Sequence, residues 1–212
     1  MLFRSRVLSN DPRVGRIDGC CTTFLVDART LITAGHCLGA IGGQMVHFNV
    51  PLSDAAGNPQ FPPPQDQYAM LSGSLTAIAS GIGNDYAVYS TVRNSNTGLY
   101  AGQAQGSWFV TAVAPATTAH SVRVTGYGTS GVNPAWSLAQ KSDVGPRQST
   151  SSTILSFAVS VTGCNSGSPV LHSATDQALG VVTHAGCSAT GGSNYGTGFG
   201  VAAFAAALAQ LR

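Results

Sequence analysis

The chain has 212 residues, of which 43% are hydrophobic and 8% charged, and its formal net charge is +2 at pH 7. This composition excludes an intrinsically disordered chain, which needs low hydrophobicity and high net charge. No basic stripe interleaved with aromatic residues is present, which argues against a nucleic-acid partner. No apolar run approaches the ~18 residues of a membrane-spanning helix, so no membrane partner is expected.

The N-terminal stretch MLFRSRVLSNDPRVGR is rich in arginine but has neither an apolar core nor a small-residue cleavage site. It therefore does not have the pattern of a secretory signal peptide, and we expect no signal peptide in this chain.

Short runs rich in Val, Thr and aromatic residues, bounded by turn-forming residues, recur along the chain and predict strands. They cover residues 22–26, 30–33, 45–50, 86–90, 107–113, 122–127, 154–161 and 179–183. Residues 54–67 contain four prolines and are predicted to form an exposed loop. Residues 201–212 place Val201, Phe204, Leu208 and Leu211 on one face of a predicted C-terminal helix. Many short strands with Gly-rich turns indicate a β-sandwich or β-barrel.

Three motifs carry side chains that can do chemistry. TAGHC places His36 directly after a predicted strand, NDYAVY places Asp85 before one, and GCNSGSPV sets Ser166 in a Gly-rich turn. Each has an ordinary explanation, namely a surface or core histidine, a turn-capping aspartate and a plain Gly/Ser turn. A turn of the third kind also points backbone N–H groups at one spot, as stabilisation of an oxyanion requires.

In type and order, these motifs resemble the signature blocks of the chymotrypsin/trypsin-like serine peptidases. The form of the serine block is closest to bacterial members, including the glutamyl-endopeptidase branch. The stretches CTTFLVDARTLITAGHC, VRVTGYGTSG and LGVVTHAGC extend the resemblance over roughly residues 17–205.

The resemblance implies an all-β fold. Two six-stranded antiparallel Greek-key β-barrels would pack around a catalytic cleft and be followed by a C-terminal helix. Residues 1–105 would form the N-terminal half with His36 and Asp85, residues 106–200 the C-terminal half with Ser166, and residues 201–212 the helix.

The resemblance also implies a serine endopeptidase. Ser166 would form an acyl-enzyme, His36 would act as the base, and Asp85 would orient His36. The backbone N–H groups of Cys164 and Ser166 would form the oxyanion hole. No cofactor and no metal are expected, and the partner would be a polypeptide substrate bound by a monomer.

Two positions depart from the family pattern. Cys164 stands where the family has a glycine, and Asn165 replaces the aspartate that pairs with a newly freed terminal amine. We therefore expect no activation switch of the trypsin kind.

The resemblance pairs Cys21 with Cys37, and Cys164 with Cys187 is the second expected disulfide. Cys20 is the expected spare, although Cys20 and Cys21 could exchange roles. Disulfides place the protein in an oxidising compartment, so it is expected to be secreted, outside the cell or in the periplasm.

Five residues are expected to bind substrate: Ser160, Thr162, Thr183, His184 and Ala185. Ser160 maps to the base of the pocket and has no carboxylate to select Arg or Lys. His184 either receives an acidic substrate side chain or occupies a wall position that is often aromatic, and we favour the wall. The other histidines, His47, His120 and His172, are interpreted as structural or surface residues.

Three other interpretations stay open at this point. An inactive homologue would act only as a binding module. An unrelated all-β binding domain would leave His36, Asp85 and Ser166 far apart. A cysteine hydrolase would use Cys37 or Cys164.

Overall fold

The computed structural model describes residues 6–37, 45–188 and 191–211. Fourteen strands in this part of the chain form two seven-stranded sheets, and every strand pair is antiparallel. None of the described helices is long and apolar enough to cross a membrane.

The first sheet has the order β6-β5-β2-β3-β4-β8-β7. Its strands are β2 Val14–Ile17, β3 Cys21–Leu25, β4 Thr30–Thr33, β5 Met45–His47, β6 Gln67–Ala69, β7 Thr76–Ala79 and β8 Asp85–Ser90. A bridge between Met70 and Thr91 joins the end of β6 to the end of β8. The sheet therefore closes on itself, with β6 and β7 as two pieces of one interrupted wall strand.

The second sheet has the order β1-β10-β9-β12-β13-β14-β11. Its strands are β1 Val7–Leu8, β9 Ser121–Gly126, β10 Lys141–Pro146, β11 Ile154–Phe157, β12 Pro169–His172, β13 Ala178–His184 and β14 Asn194–Gly198. A bridge between Arg147 and Phe157 connects β10 to β11 and closes the ring. β1 pairs with the outer side of β10 as an added edge strand.

The predicted architecture of two antiparallel barrels with a C-terminal helix is confirmed. Each sheet has seven assigned strands rather than six, because β1 is added to one barrel and a wall strand is interrupted in the other. The domain boundaries at residues 105/106 and 200/201 stay a prediction, and residues 1–5 and 212 of those ranges lie outside the described part. β1 lies before residue 105 but pairs with the second sheet.

Alternation along β8 shows how one strand serves two cores. Ala87 and Tyr89 pack within the first barrel, whereas Tyr86 and Val88 face the core between the barrels. Successive side chains of a strand point to opposite faces, so each face of β8 packs separately. Asp85, the first residue of β8, is thereby fixed beside the cleft between the two barrels.

The helix α1 spans Ala101–Gln105 in the connection between the sheets, and the C-terminal helix α2 spans Ala202–Leu211. Phe204 of α2 stacks on Tyr86 with ring centroids 4.3 Å apart, and Leu208 is buried in the same core. The predicted apolar face of this helix is therefore confirmed, and it packs behind the strand that carries Asp85.

One predicted strand is wrong. Residues 107–113 form an extended connection with a single bridge, Thr111 to Ala178. Its Phe109 is buried and packs edge-on against Phe24, whereas Trp108, Val110 and Val113 are exposed. The apolar, strand-like composition of this segment therefore does not correspond to a strand of either sheet.

Candidate active site

His36 lies in the short 3₁₀ helix Gly35–Cys37, which follows β4. Gly35 approaches β7 so closely that a Cβ there would stand 1.8 Å from the carbonyl oxygen of Ile78. The disulfide Cys21–Cys37 fixes the other end of the turn. The His36 backbone is therefore held on both sides, while its side chain stays 41% exposed.

Asp85 binds His36 through both oxygens of its carboxylate. Oδ2 lies 2.6 Å from Nδ1 of the His36 ring, and Oδ1 accepts the His36 backbone N–H at 3.0 Å. The Asp85 side chain is only 2% exposed. Its backbone N–H donates to the hydroxyl of Thr197, which in turn donates to the Asp85 carbonyl oxygen. Asp85 is thus fixed from β14 of the opposite sheet.

The contact with Asp85 sets the protonation of the His36 ring. A carboxylate only accepts hydrogen bonds, so Nδ1 carries the proton and Nε2 is the acceptor in the neutral ring. The hydrogen bond to Asp85 raises the pKa of His36 above its ordinary value, although partial burial opposes the rise. His36 is therefore arranged as a base whose imidazolium form Asp85 stabilises.

Ser166 follows a tight turn that begins at Thr162. The Asn165 N–H donates to the Thr162 carbonyl oxygen at 3.1 Å, and Cys164 has φ 73°. A positive φ at the third residue identifies a type II turn, which usually has glycine there. Gly167, with φ 88°, has no room for a side chain, because a Cβ would stand 1.9 Å from the Thr22 carbonyl oxygen.

The turn leaves two backbone donors unused. Within the described residues, neither the N–H of Cys164 nor the N–H of Ser166 donates to a protein group, whereas the N–H groups of Asn165, Gly167 and Ser168 are bonded. Two free donors in one turn are what an oxyanion hole requires.

β3 connects the serine turn to the histidine turn. The Thr22 N–H donates to the Ser166 carbonyl oxygen at 2.8 Å, and the Thr33 hydroxyl donates to the Thr22 carbonyl oxygen at 2.7 Å. In the described residues no hydrogen bond joins the Ser166 hydroxyl to the His36 ring. Catalytic hydrogen bonds are commonly long in a free enzyme and shorten when substrate binds. The structure thus brings His36 and Asp85 into direct contact and places Ser166 on a neighbouring segment.

The disulfides correct two expectations, the partner of Cys164 and the choice of Cys20 as the spare cysteine. Cys21–Cys37 is present as expected, but Cys164 is bonded to Cys20 and Cys187 is the free cysteine. The predicted Cys164–Cys187 bridge is wrong, because pairing near β3 brings the Cα atoms of Cys20 and Cys164 to 4.7 Å.

Cys187 instead lies in the turn after β13, where its N–H donates to the Asn194 side chain.

Removal of the Cys20–Cys164 disulfide should strongly destabilise the protein. We expect Cys20→Ser to lower the free energy of unfolding by roughly 2–5 kcal/mol, because the bridge closes a long loop. Cys187→Ser is the matched control and should leave it nearly unchanged. Urea unfolding measures both variants, and equal losses in the two would contradict the assigned pairing.

The predicted substrate-binding residues do not share one environment. Ser160 is 3% exposed, its N–H donates to Oδ2 of Asp143, and its hydroxyl has no partner in the described residues. Thr162 donates to the Thr129 carbonyl oxygen, and Ala185 is exposed. Ser160 is therefore buried and Ala185 exposed, and neither lines the cavity beside His36 and Asp85.

Thr183 and His184 lie beside the His36–Asp85 pair. A cavity of about 300 Å³ is lined by His36, Asp85, Thr183 and His184, together with Ala79. The rings of His184 and His36 are 6.2 Å apart. The Thr183 hydroxyl donates to the Tyr195 carbonyl oxygen, so the His184 Nδ1–H donates to Thr183.

Sequence reasoning missed two buried residues that support the site. Thr197 fixes the backbone of Asp85, and Asp143 bonds the backbone of Ser160. A threonine inside a strand and an aspartate between Ser142 and Val144 give no local signal of such a role. No group of three or more His, Cys, Asp or Glu side chains that could hold a metal ion occurs in the described residues.

Comparison with known proteins agrees with this arrangement. Residues 21–181 match the family model of the trypsin-like peptidase domain. No curated protein matches the sequence.

Among solved structures, a Glu endopeptidase in complex with MPD is 17% identical over 100% of this chain and 99% of its own, with a TM-score of 0.72. The protease Anisep from Arthrobacter nicotinovorans is 20% identical over 91% and 93%, with a TM-score of 0.66. A thermostable serine protease from an extremophilic microorganism is 17% identical over 89% and 92%, also with a TM-score of 0.66. These TM-scores establish a shared fold, and the family match covers most of the chain. The chain therefore belongs to the trypsin-like peptidase domain family.

Proposed function

We propose that the protein is a serine endopeptidase that cleaves polypeptides through an acyl-enzyme on Ser166. The observation that carries the proposal is the buried Asp85 carboxylate, which accepts both the ring Nδ1–H and the backbone N–H of His36. This contact leaves Nε2 as a base facing the cleft. Family membership supports the same chemistry.

In the acylation half, the Ser166 Oγ attacks the scissile carbonyl carbon while its proton passes to His36 Nε2. The carbonyl oxygen becomes an oxyanion that the N–H groups of Cys164 and Ser166 bind. The C–N bond then breaks, and His36 gives its proton to the leaving amine.

In the deacylation half, water loses a proton to His36 and attacks the ester carbon. The Ser166 Oγ then leaves and recovers the proton. No metal or cofactor takes part in this proposed sequence.

The compartment and the substrate are part of the proposal. Two disulfides support secretion, because such bonds persist in oxidising compartments. We propose a monomer that acts on polypeptides. The contact of His184 with the cavity beside His36 supports a wall position rather than the base of the specificity pocket. Profiling against a peptide library tests this. Exclusive cleavage after acidic residues would instead indicate that His184 receives an acidic substrate side chain.

On the acid side of the pH profile, the midpoint of the fall in kcat/KM should lie above the ordinary pKa of histidine. Only the neutral His36 ring can accept the Ser166 proton, so kcat/KM falls as pH is lowered through the pKa of His36. Asp85 raises that pKa, so the midpoint is expected above ~6.5. The dependence of kcat/KM on pH between about 5 and 9 measures it. A midpoint below the ordinary value, or a flat profile, would contradict the assignment.

A fluorophosphonate probe tests the proposed function directly. We expect the wild-type chain to hydrolyse casein and to carry the probe on the peptide that contains Ser166, whereas Ser166→Ala takes up none. An inactive homologue that serves as a binding module predicts no labelling and no hydrolysis. Labelling at Cys187 or at another serine would overturn the nucleophile assignment.

A further inference from the structure

An N-terminal arm, residues 6–11, lies across the second barrel. β1 pairs with the edge of β10, and the Ser9 N–H donates to the Gln140 carbonyl oxygen. At the start of the arm, Nη1 of Arg6 donates to the Thr162 hydroxyl oxygen at 2.7 Å and to the Thr129 carbonyl oxygen at 3.0 Å. The guanidinium thus joins two segments that lie more than thirty residues apart in sequence.

Arg6 joins the turn that precedes Ser166 to the segment that follows β9 and contains Thr129. Thr162 is the first residue of the type II turn that leads to Ser166. Its hydroxyl donates to the Thr129 carbonyl oxygen, and the Thr129 N–H donates to the Gly163 carbonyl oxygen at 2.9 Å. The Gly163 carbonyl belongs to the same peptide group as the free Cys164 N–H. The bond from Thr129 therefore fixes the direction in which that N–H points.

A buried lysine also holds the segment that follows β9. Lys141 is 3% exposed, and its Nζ donates to the carbonyl oxygens of Gly128, Trp136 and Ala139. Burial and, as the smaller cause, the charge of Arg6 together lower the pKa of Lys141 to about 7. Asp143 attracts Arg6 and accepts the Ser160 N–H.

The turn would lose its functional form if this support were absent. Cys164 carries a Cβ at φ 73°, in a region that favours glycine, so the Gly163–Cys164 peptide needs external bonds to stay in place. If that peptide rotates, the Cys164 N–H no longer faces the oxyanion. One lost donor of this kind lowers kcat by about 10²–10³-fold.

We propose that Arg6 is a positioning residue that holds the turn 162–166 in the form that presents the Cys164 and Ser166 N–H groups to the oxyanion. The inference rests on the proposed function. It assigns to the N-terminal arm a part in catalysis although the hydrogen bonds of Arg6 go to Thr129 and Thr162 and not to the His36–Asp85 pair. Because Asn165 offers no charge for a terminal amine, the support comes through Thr162 instead.

The test compares Arg6→Ala and Arg6→Lys in the full chain, with Arg93→Ala as the matched control. Arg93 lies over the Tyr100 ring near α1, away from the serine turn. The measurements are kcat and KM on peptide substrates with acidic and neutral residues before the cleaved bond, inhibition by a peptide boronic acid, and the melting temperature.

We expect Arg6→Ala to lower kcat by roughly 10–100-fold while KM stays within about twofold, since the lost bonds act in the transition state. Boronic acid binding should weaken in proportion to kcat, and Arg6→Lys should recover part of the loss. Arg93→Ala should match the wild type in all measurements. If Arg6→Ala folds poorly, Thr162→Val removes the Arg6–Thr162 bond together with the Thr162–Thr129 bond and should lower kcat by at least about 10-fold.

Unchanged kcat in Arg6→Ala overturns the inference. So does a loss confined to KM for acidic substrates, because that result would make Arg6 a substrate-charge ligand. A wild-type chain that neither takes up the fluorophosphonate nor hydrolyses peptide refutes the proposed function itself. A labelled, active wild type with an equally active Arg6→Ala refutes only the role of Arg6.

Discussion

Replacement of Ser166 or His36 with alanine is expected to lower kcat by about 10⁶-fold, with a slow background reaction remaining. A serine hydroxyl is a weak nucleophile at neutral pH, so Ser166 depends on His36 to take its proton. The double variant should be no worse than either single variant, because the two residues act as one unit. Steady-state hydrolysis of a chromogenic peptide measures all three.

Ser168→Ala is the matched control for the serine. Ser168 lies two residues after Ser166, is fully buried, and its hydroxyl has no partner in the described residues. His172→Ala is the matched control for His36→Ala, because His172 stacks on His120 in the second barrel and has no contact with Asp85. Both controls should keep most of the activity. If Ser166→Ala retained a tenth of it, the nucleophile would have to be another group.

Asp85→Asn is expected to lower kcat by roughly 10⁴-fold, the loss seen in the family's best-known triad, with little change in KM. The asparagine NH₂ would donate to Nδ1 of His36, so the ring proton would move to Nε2. That tautomer cannot accept the Ser166 proton. The carboxylate also raises the pKa of His36, so its loss should move any remaining acid limb to lower pH.

A second Asp–His pair supplies the control for this variant. Asp18 binds Nε2 of His47 at 2.6 Å, in the first barrel and outside the cleft. Asp18→Asn therefore removes a carboxylate from a histidine without touching the proposed base, and it should leave kcat nearly unchanged. A similar fall in both variants would mean that the effect of Asp85→Asn is structural.

The sequence predicts the candidate site residues that lie within short contiguous motifs. TAGHC, NDYAVY and GCNSGSPV predict His36, Asp85 and Ser166 as the candidate residues, and the structure shows His36 and Asp85 in contact. The C-terminal helix was equally predictable, because its apolar face repeats with helical period.

Features that depend on distant contacts could not be read in this way. The partner of Cys164 is 144 residues away, and nothing near Cys20 or Cys187 indicates which of them reaches it. Arg6 and Asp143 are ordinary charged residues in sequence and gain their roles only because β1 and β10 lie behind the serine turn. Residues 107–113 have strand composition, yet they form an extended connection in which Phe109 is buried and Trp108 and Val110 are exposed.

The Cys20–Cys164 disulfide and the hydrogen bonds to the serine turn act on the same residue, Cys164, and on the peptide group before it. Cys164 is a non-glycine residue at positive φ, and its side chain is bonded to Cys20. The peptide group that precedes it is held by a hydrogen bond from Thr129. The family's glycine needs no such support in this conformation. We interpret the Cys20–Cys164 disulfide and the Arg6 contacts as two means of keeping one peptide group in its functional direction.

A crystal structure of the chain reacted with a peptide boronic acid tests the central claim most directly. The account predicts a bond from boron to the Ser166 Oγ, one boronate oxygen about 2.7–3.1 Å from the nitrogens of Cys164 and Ser166, and another facing Nε2 of His36. Boron bound to a different residue, or a boronate oxygen turned away from both nitrogens, would contradict it.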